Sequence, residues 1–166
     1  MKILLTIDIE TIEEIPEIIK ILKKVKIETA FFVPAKLLES NPTIFKKLSL
    51  YGKIGLHGYK HERFDSLNYN EKENLIKNSI RIYKKIFKKK PESFRAPQFS
   101  ADFELLGLLE KYGFEEDFSI TEFPLFQTIF FPTHFLTYLR QIKINKKLKE
   151  KNMKIKEISL SSFFTN

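Results

Sequence analysis

The chain has 166 residues, of which 43% are hydrophobic and 30% charged, and 29 Lys plus Arg against 21 Asp plus Glu give a formal net charge of +8. That length predicts a single domain over residues 1–166, and the apolar fraction predicts a packed fold rather than long disordered tails. No Cys is present, which excludes disulfide scaffolds, thiolate zinc sites and Cys nucleophiles and leaves His, Asp and Glu as the metal-binding side chains.

In chain order, the first apolar run is Ile3-Leu4-Leu5, broken at Asp8 and Glu10 before it reaches the length of a secretory signal, with no small-residue cleavage site behind it. Residues 2–8 are therefore predicted as a buried first strand, and the protein is expected to be cytoplasmic. A helix with Ile18, Ile21 and Leu22 on one face follows, then a strand over Glu28–Val33. Asn41-Pro42 predicts a helix N-cap with proline in the first turn. After a strand over Lys53–His57, Asn70 with Glu73 predicts a capping box, and Ile76, Ile80, Tyr83 and Phe87 line the long helix behind it. A strand over Ser93–Ala96 leads to a helix with Leu105, Leu108, Leu109 and Tyr112, closed at Gly113. Further strands are expected at Phe114–Ser119, Gln127–Phe131 and Met153–Ile158, making about seven in all.

The longest apolar stretches, such as Thr29–Val33 and Leu125–Pro132, fall far short of the roughly 20 residues that cross a bilayer, so no membrane span is expected. Basic charge gathers in Lys84–Lys90 and Lys143–Lys156 without an Arg-rich stripe or recognition motif. It reads as solvated helix faces, and no nucleic-acid partner is expected.

Strands alternating with helices predict an α/β fold with a parallel sheet, either a short barrel or an open doubly wound sheet. In both, ligands meet the carboxyl ends of the strands, and the chemistry-bearing residues of this chain fall there. Asp8 and Glu10 leave the first strand two positions apart, spaced to converge on one cation or to divide between ligand and base; acidic pairs after strands also serve as loop residues and helix caps. His57 and His61 lie four positions apart, a spacing that lets two imidazoles reach one ion, the alternative being one core and one surface histidine. Three ligands and one spare carboxylate compose a catalytic metal site with an open position. Arg95, at the end of the Ser93–Ala96 run and just before Pro97, is placed either to pin a carboxylate or to stand at the surface before a turn.

Taken in order, these pieces resemble the polysaccharide deacetylase family, carbohydrate esterase family 4. Thr6-Ile7-Asp8-Ile9-Glu10 resembles its first motif, His57-Gly58-Tyr59-Lys60-His61 its metal-binding motif, Phe94-Arg95-Ala96-Pro97 with Phe99-Ser100 its third, and Tyr112–Asp117 its fourth. The resemblance runs from residue 2 to about 120 and implies an irregular, incomplete (β/α) barrel. It implies that Glu10, His57 and His61 bind a divalent metal, most often zinc, that Asp8 is the general base, and that Arg95 holds Asp8. It places the general acid at His134, with Asp117 orienting it, although the family's usual leucine-histidine pair is missing there. It also implies a backbone N–H just after Pro97, that of Gln98, as an oxyanion donor. Tyr59, Phe64 and Phe99 lie where they would stack on a sugar ring, yet with 17 Phe in the chain most aromatics must be core. The implied activity is removal of acetyl groups from an N-acetylated sugar or glycan, which would be the substrate partner. A hydrolase of another linear amide and a non-catalytic binding barrel are the alternatives.

Overall fold

Long apolar runs rich in β-branched and aromatic residues form the inner strands, because a parallel strand is covered on both faces. The structure, a computed structural model, describes residues 3–122, 154–158 and 160–161. The strand expected at 127–131, His134 and nearly all of the second basic stretch lie outside those residues. The described elements are β1 (Leu4–Asp8), α1 (Ile15–Leu22), β2 (Glu28–Val33), α2 (Ala35–Ser40), α3 (Pro42–Leu48), β3 (Lys53–Leu56), α4 (Tyr69–Phe87), β4 (Ser93–Phe94), α5 (Phe103–Lys111), β5 (Glu116–Asp117), β6 (Thr121–Glu122), β7 (Lys156–Glu157) and β8 (Leu160–Ser161). Single 3₁₀ turns cover Phe64–Ser66 and Pro97–Phe99.

Six strands make one parallel sheet in the order β1-β2-β3-β4-β5-β7. Among the described residues spatial order repeats chain order, without the reversal that defines a doubly wound sheet, which agrees with the barrel alternative. The count of seven strands does not hold: eight short strands appear among the described residues, and β6 and β8 pair apart from the main sheet. The reason is a slip in pairing. Asp117 faces Glu157 and Thr121 faces Leu160, four positions on along one side and three along the other, so the second pairing is out of register with the first.

The sheet is curled into part of a deformed barrel. Strands lie roughly 4.8 Å apart and side chains stand nearly perpendicular to a sheet, so a flat sheet would hold residues of β2 and β5 roughly 14 Å apart. The rings of Phe32 on β2 and Phe118 just past β5 are 4.9 Å apart at their centroids. Ala30, Phe32 and Phe118 form this small inner cluster, while Phe31 and Val33 point the other way into the main core under the helices. Such alternation is the period-two geometry of a strand. Gly55 on β3 makes the inner packing feasible, because a Cβ there would lie 2.6 Å from Ser93 Oγ and 2.7 Å from the Phe32 ring.

Three expectations need correction. Ile3, Leu4 and Leu5 are exposed rather than buried, because β1 is the outermost strand of the sheet among the described residues. The capping box of α4 is made by Asn68 and Glu71, each taking the other's backbone N–H, at 3.0 and 2.9 Å, two residues before the expected pair. Glu73 instead accepts from Lys111 and from the Tyr112 hydroxyl, at 2.8 and 2.7 Å, which ties α4 to α5. These partners, Lys111 first, hold its carboxyl down at about 2. Asn41 is the N-cap residue of α3 with Pro42 in the first turn, as expected, but the cap is not made through its side chain; its amide donates back to Leu37 O at the end of α2, since the two helices nearly abut. Gly113 does close α5, with φ of 78°: its N–H meets Glu110 O and that of Phe114 meets Leu109 O, both at 3.0 Å, the paired bonds of a Schellman motif. None of the described helices is long and apolar enough to cross a membrane.

The packing around β3 yields a first test. Gly55→Ala forces a methyl against Ser93 and the Phe32 ring, and urea unfolding is expected to show a loss of about 1–3 kcal/mol.

Candidate metal centre and catalytic site

Backbone pairing sets the height at which each side chain emerges. Ile9 N–H bonds Phe32 O at 2.9 Å, His57 N–H bonds Val33 O at 3.0 Å, and Arg95 N–H bonds Leu56 O at 2.9 Å. Each ladder therefore extends one residue past its strand, and Asp8, Glu10, His57 and Arg95 meet at the carboxyl end of the curled sheet. His61 arrives from the loop that follows β3.

Glu10, His57 and His61 each offer one ligand atom, and the three atoms lie within 4.8 Å of one another. The Glu10 carboxylate is 3.1 Å from His61 Nε2, and the imidazole centroids are 5.0 Å apart. Ligand atoms around a tetrahedral zinc are roughly 3.4 Å apart, given bonds of roughly 2.0–2.2 Å, so modest side-chain movement closes the set on a cation. The donors also fit in chemical state. His57 is buried, and its Nδ1 lies 2.9 Å from Arg95 O, which can only accept. Nδ1 therefore carries the proton and the Nε2 lone pair faces the site, the arrangement of a metal-ligating imidazole. Burial lowers the His57 pKa, with the Asp8 carboxylate opposing the shift, so the ring is neutral near pH 7.

Asp8 stands beside this trio without joining it. Its Oδ1 accepts from Arg95 Nη1 at 2.6 Å and its Oδ2 is 4.0 Å from His57 Nε2. The Arg95 side chain is itself buried: Nε donates to Phe118 O at 3.2 Å, and the guanidinium carbon sits 4.3 Å from the Phe32 ring centroid. Nη2 has no hydrogen-bond partner among the described residues. Burial lowers the Arg95 pKa while Asp8 raises it, and a guanidinium stays charged throughout.

The remaining expected residues divide. Asp117 is fully buried and accepts from the Ser119 hydroxyl at 2.7 Å, and that hydroxyl accepts from Ala96 N–H at 2.7 Å. This network ties β5 to the segment just after Arg95; whether Asp117 also meets His134 falls outside the described residues. Pro97 is buried, Gln98 exposed and Phe99 half-buried, and the last two have φ of 54° and 51°. Ser100 holds that left-handed turn by donating to Pro97 O at 2.6 Å while accepting from Phe64 N–H at 2.9 Å. Tyr59 is half-buried against the core. Phe64 is not a sugar platform: it is fully buried, edge-on to Phe94, because its 3₁₀ turn plugs the space under Ser100. Ser119 carries no periodic or motif signal and escapes a reading by sequence, and Ser100, though it falls in the third motif, gives no sequence sign of the two bonds it makes.

Beside Glu10 and His61 lies an open depression of about 330 Å³, also lined by Pro34, Lys36, Leu37, Ser40 and Lys60. A larger one, about 600 Å³, sits at the opposite ends of β2 and β3 against Thr29, Gly52 and Tyr83, away from every residue of the site.

A family profile described as polysaccharide deacetylase matches residues 1–116. A peptidoglycan deacetylase-like protein from Gibberella zeae is 32% identical over 107 residues, which cover 63% of this chain and 32% of that protein. A peptidoglycan deacetylase from Helicobacter pylori is 28% identical over 107 residues, 64% of this chain and 36% of that one. The chain thus spans about a third of the length of these curated relatives. Among solved structures, a carbohydrate esterase family 4 pseudoenzyme from Bacillus anthracis superposes with a TM-score of 0.65 at 17% identity, over 96% of this chain and 54% of that one, and shares the fold.

The geometry around Arg95 is testable directly. Lysine reaches Asp8 or the Phe118 carbonyl but not both, and it lacks the flat face that lies on Phe32. Arg95→Lys is expected to lower the unfolding free energy by about 2 kcal/mol in urea titrations.

Proposed function

The chain belongs to the polysaccharide deacetylase family, and from that premise we propose that it hydrolyses the acetamide of an N-acetylated sugar or glycan with the help of a divalent cation. The observation that carries the reading is the convergence of Glu10, His57 and His61, with a fourth, differently partnered carboxylate, Asp8, beside them. Two imidazoles and one carboxylate suit zinc, which supplies Lewis-acid polarisation and activation of water when bound.

The side chains then divide the work. Arg95 occupies one oxygen of Asp8 and fixes the carboxylate in place, leaving Oδ2 on the side of the imidazoles to accept the proton of the attacking water. The exposed turn at Gln98, held by Ser100, offers its backbone N–H to the oxygen that gains charge as the carbonyl becomes tetrahedral. The amine leaves only when protonated, and His134 is proposed as the donor. The depression beside Glu10 and His61 is shallow and open, suited to an extended or exposed sugar chain. The named substrate of the Gibberella and Helicobacter relatives favours peptidoglycan-type glycans among the candidates.

Acetate release from N-acetylglucosamine oligomers and from peptidoglycan fragments, with and without a chelator, tests the reading; a protein that releases none when zinc-loaded contradicts it. His57→Ala and His61→Ala are each expected to purify with little zinc by elemental analysis. Asp8→Asn is expected to retain its zinc while acetate release falls at least about 100-fold.

A further inference from the structure

The loop that delivers both imidazoles is closed by a side chain outside the expected ligand set. Glu62 follows His61 directly and folds back over the turn, so that its Oε2 accepts from Tyr59 N–H at 2.9 Å and its Oε1 from Lys60 N–H at 2.8 Å. Successive amides aimed at one carboxylate form a small anion-binding concavity, here occupied by the loop's own residue, and such charge-assisted bonds are among the stronger ones.

The backbone it closes does not adopt an easy shape. Gly58 and His61 both have φ of 73°, a region that residues with a Cβ occupy uncommonly and at a cost that surrounding contacts must offset. A Cβ at Gly58 would lie 3.2 Å from Glu62 Oε2, so the glycine both takes the left-handed turn and leaves room for the carboxylate. On the other side of the loop, α2 supplies the complement: Ala35 N–H bonds Gly58 O at 3.0 Å and Lys36 N–H bonds Tyr59 O at 2.8 Å. The helix thus holds carbonyls of the loop, and Glu62 holds its amides.

We propose that Glu62 is a positioning residue for the metal centre: by clamping the Tyr59 and Lys60 amides it keeps His61 in its left-handed conformation, with its imidazole set against that of His57. This rests on the metal-centre reading above and adds to it a residue that touches neither cation nor substrate.

The test is zinc affinity of the full chain, by competition with a chromophoric chelator and zinc alone as the probe, beside thermal unfolding of the metal-free protein. Glu62→Ala is expected to bind zinc roughly 10–100-fold more weakly, as when other supporting groups around a metal are removed. Glu62→Gln, which keeps one acceptor oxygen at the same reach, is expected to lose less and to unfold, metal-free, at the wild-type temperature. Wild-type zinc affinity in both variants overturns the proposal while leaving the metal centre standing. Collapse of the metal-free fold in both variants assigns Glu62 to stability alone and overturns it too. A wild-type protein that takes up no zinc overturns the metal centre itself.

Discussion

The ion pair between Arg95 and Asp8 is the contact on which the site depends. It joins β4 to β1, three strand spacings apart, roughly 14 Å in a flat sheet, through a hydrogen bond of 2.6 Å. Only curling of the sheet allows that reach, and the inner cluster of Ala30, Phe32 and Phe118 fills the concave side. Taking a guanidinium out of water is costly unless its polar atoms and charge are matched. Here Asp8 supplies the opposite charge, the Phe118 carbonyl takes Nε, and the Phe32 ring lies under the cation.

Arg95 serves the site from both ends of the residue. Its side chain binds one oxygen of Asp8, and its backbone carbonyl accepts the proton of His57 Nδ1 and so directs Nε2 toward Glu10 and His61. The proposed base and one proposed ligand are therefore oriented by one residue, whose own position follows from the ladder bond to Leu56 O and from the Asp117–Ser119 network holding the next amide. Such coupling sets the second oxygen of Asp8 4.0 Å from His57 Nε2 while leaving Asp8 outside the group of Glu10, His57 and His61.

The parts of this design that are local and periodic can be read in the sequence, and those that depend on distant partners cannot. The apolar run of β2, the helical face of Ile76 and Tyr83, the glycine that ends α5 and the four-residue histidine spacing all announce themselves. Asn68 with Glu71 and Asn70 with Glu73 offer the same capping pattern two residues apart, and only the recruitment of Glu73 by Lys111 and Tyr112 of α5 separates them. Ile3 to Leu5 look like a buried strand because residue type does not reveal that β1 lies outermost among the described residues. Phe64 looks like a platform beside the histidines until Ser100 draws its backbone inward. Glu62 reads as one more surface acid, since its role is written in two amide directions rather than in any spacing.

On the reading above, three side chains from two loops meet on a single cation while a fourth carboxylate stays off it. Anomalous diffraction from zinc-loaded crystals, collected on both sides of the zinc edge, tests it most directly. One strong peak is expected at about 2.0–2.2 Å from a Glu10 oxygen, His57 Nε2 and His61 Nε2, with Asp8 still paired to Arg95. A peak elsewhere, or one that takes Asp8 in place of Glu10, would contradict it.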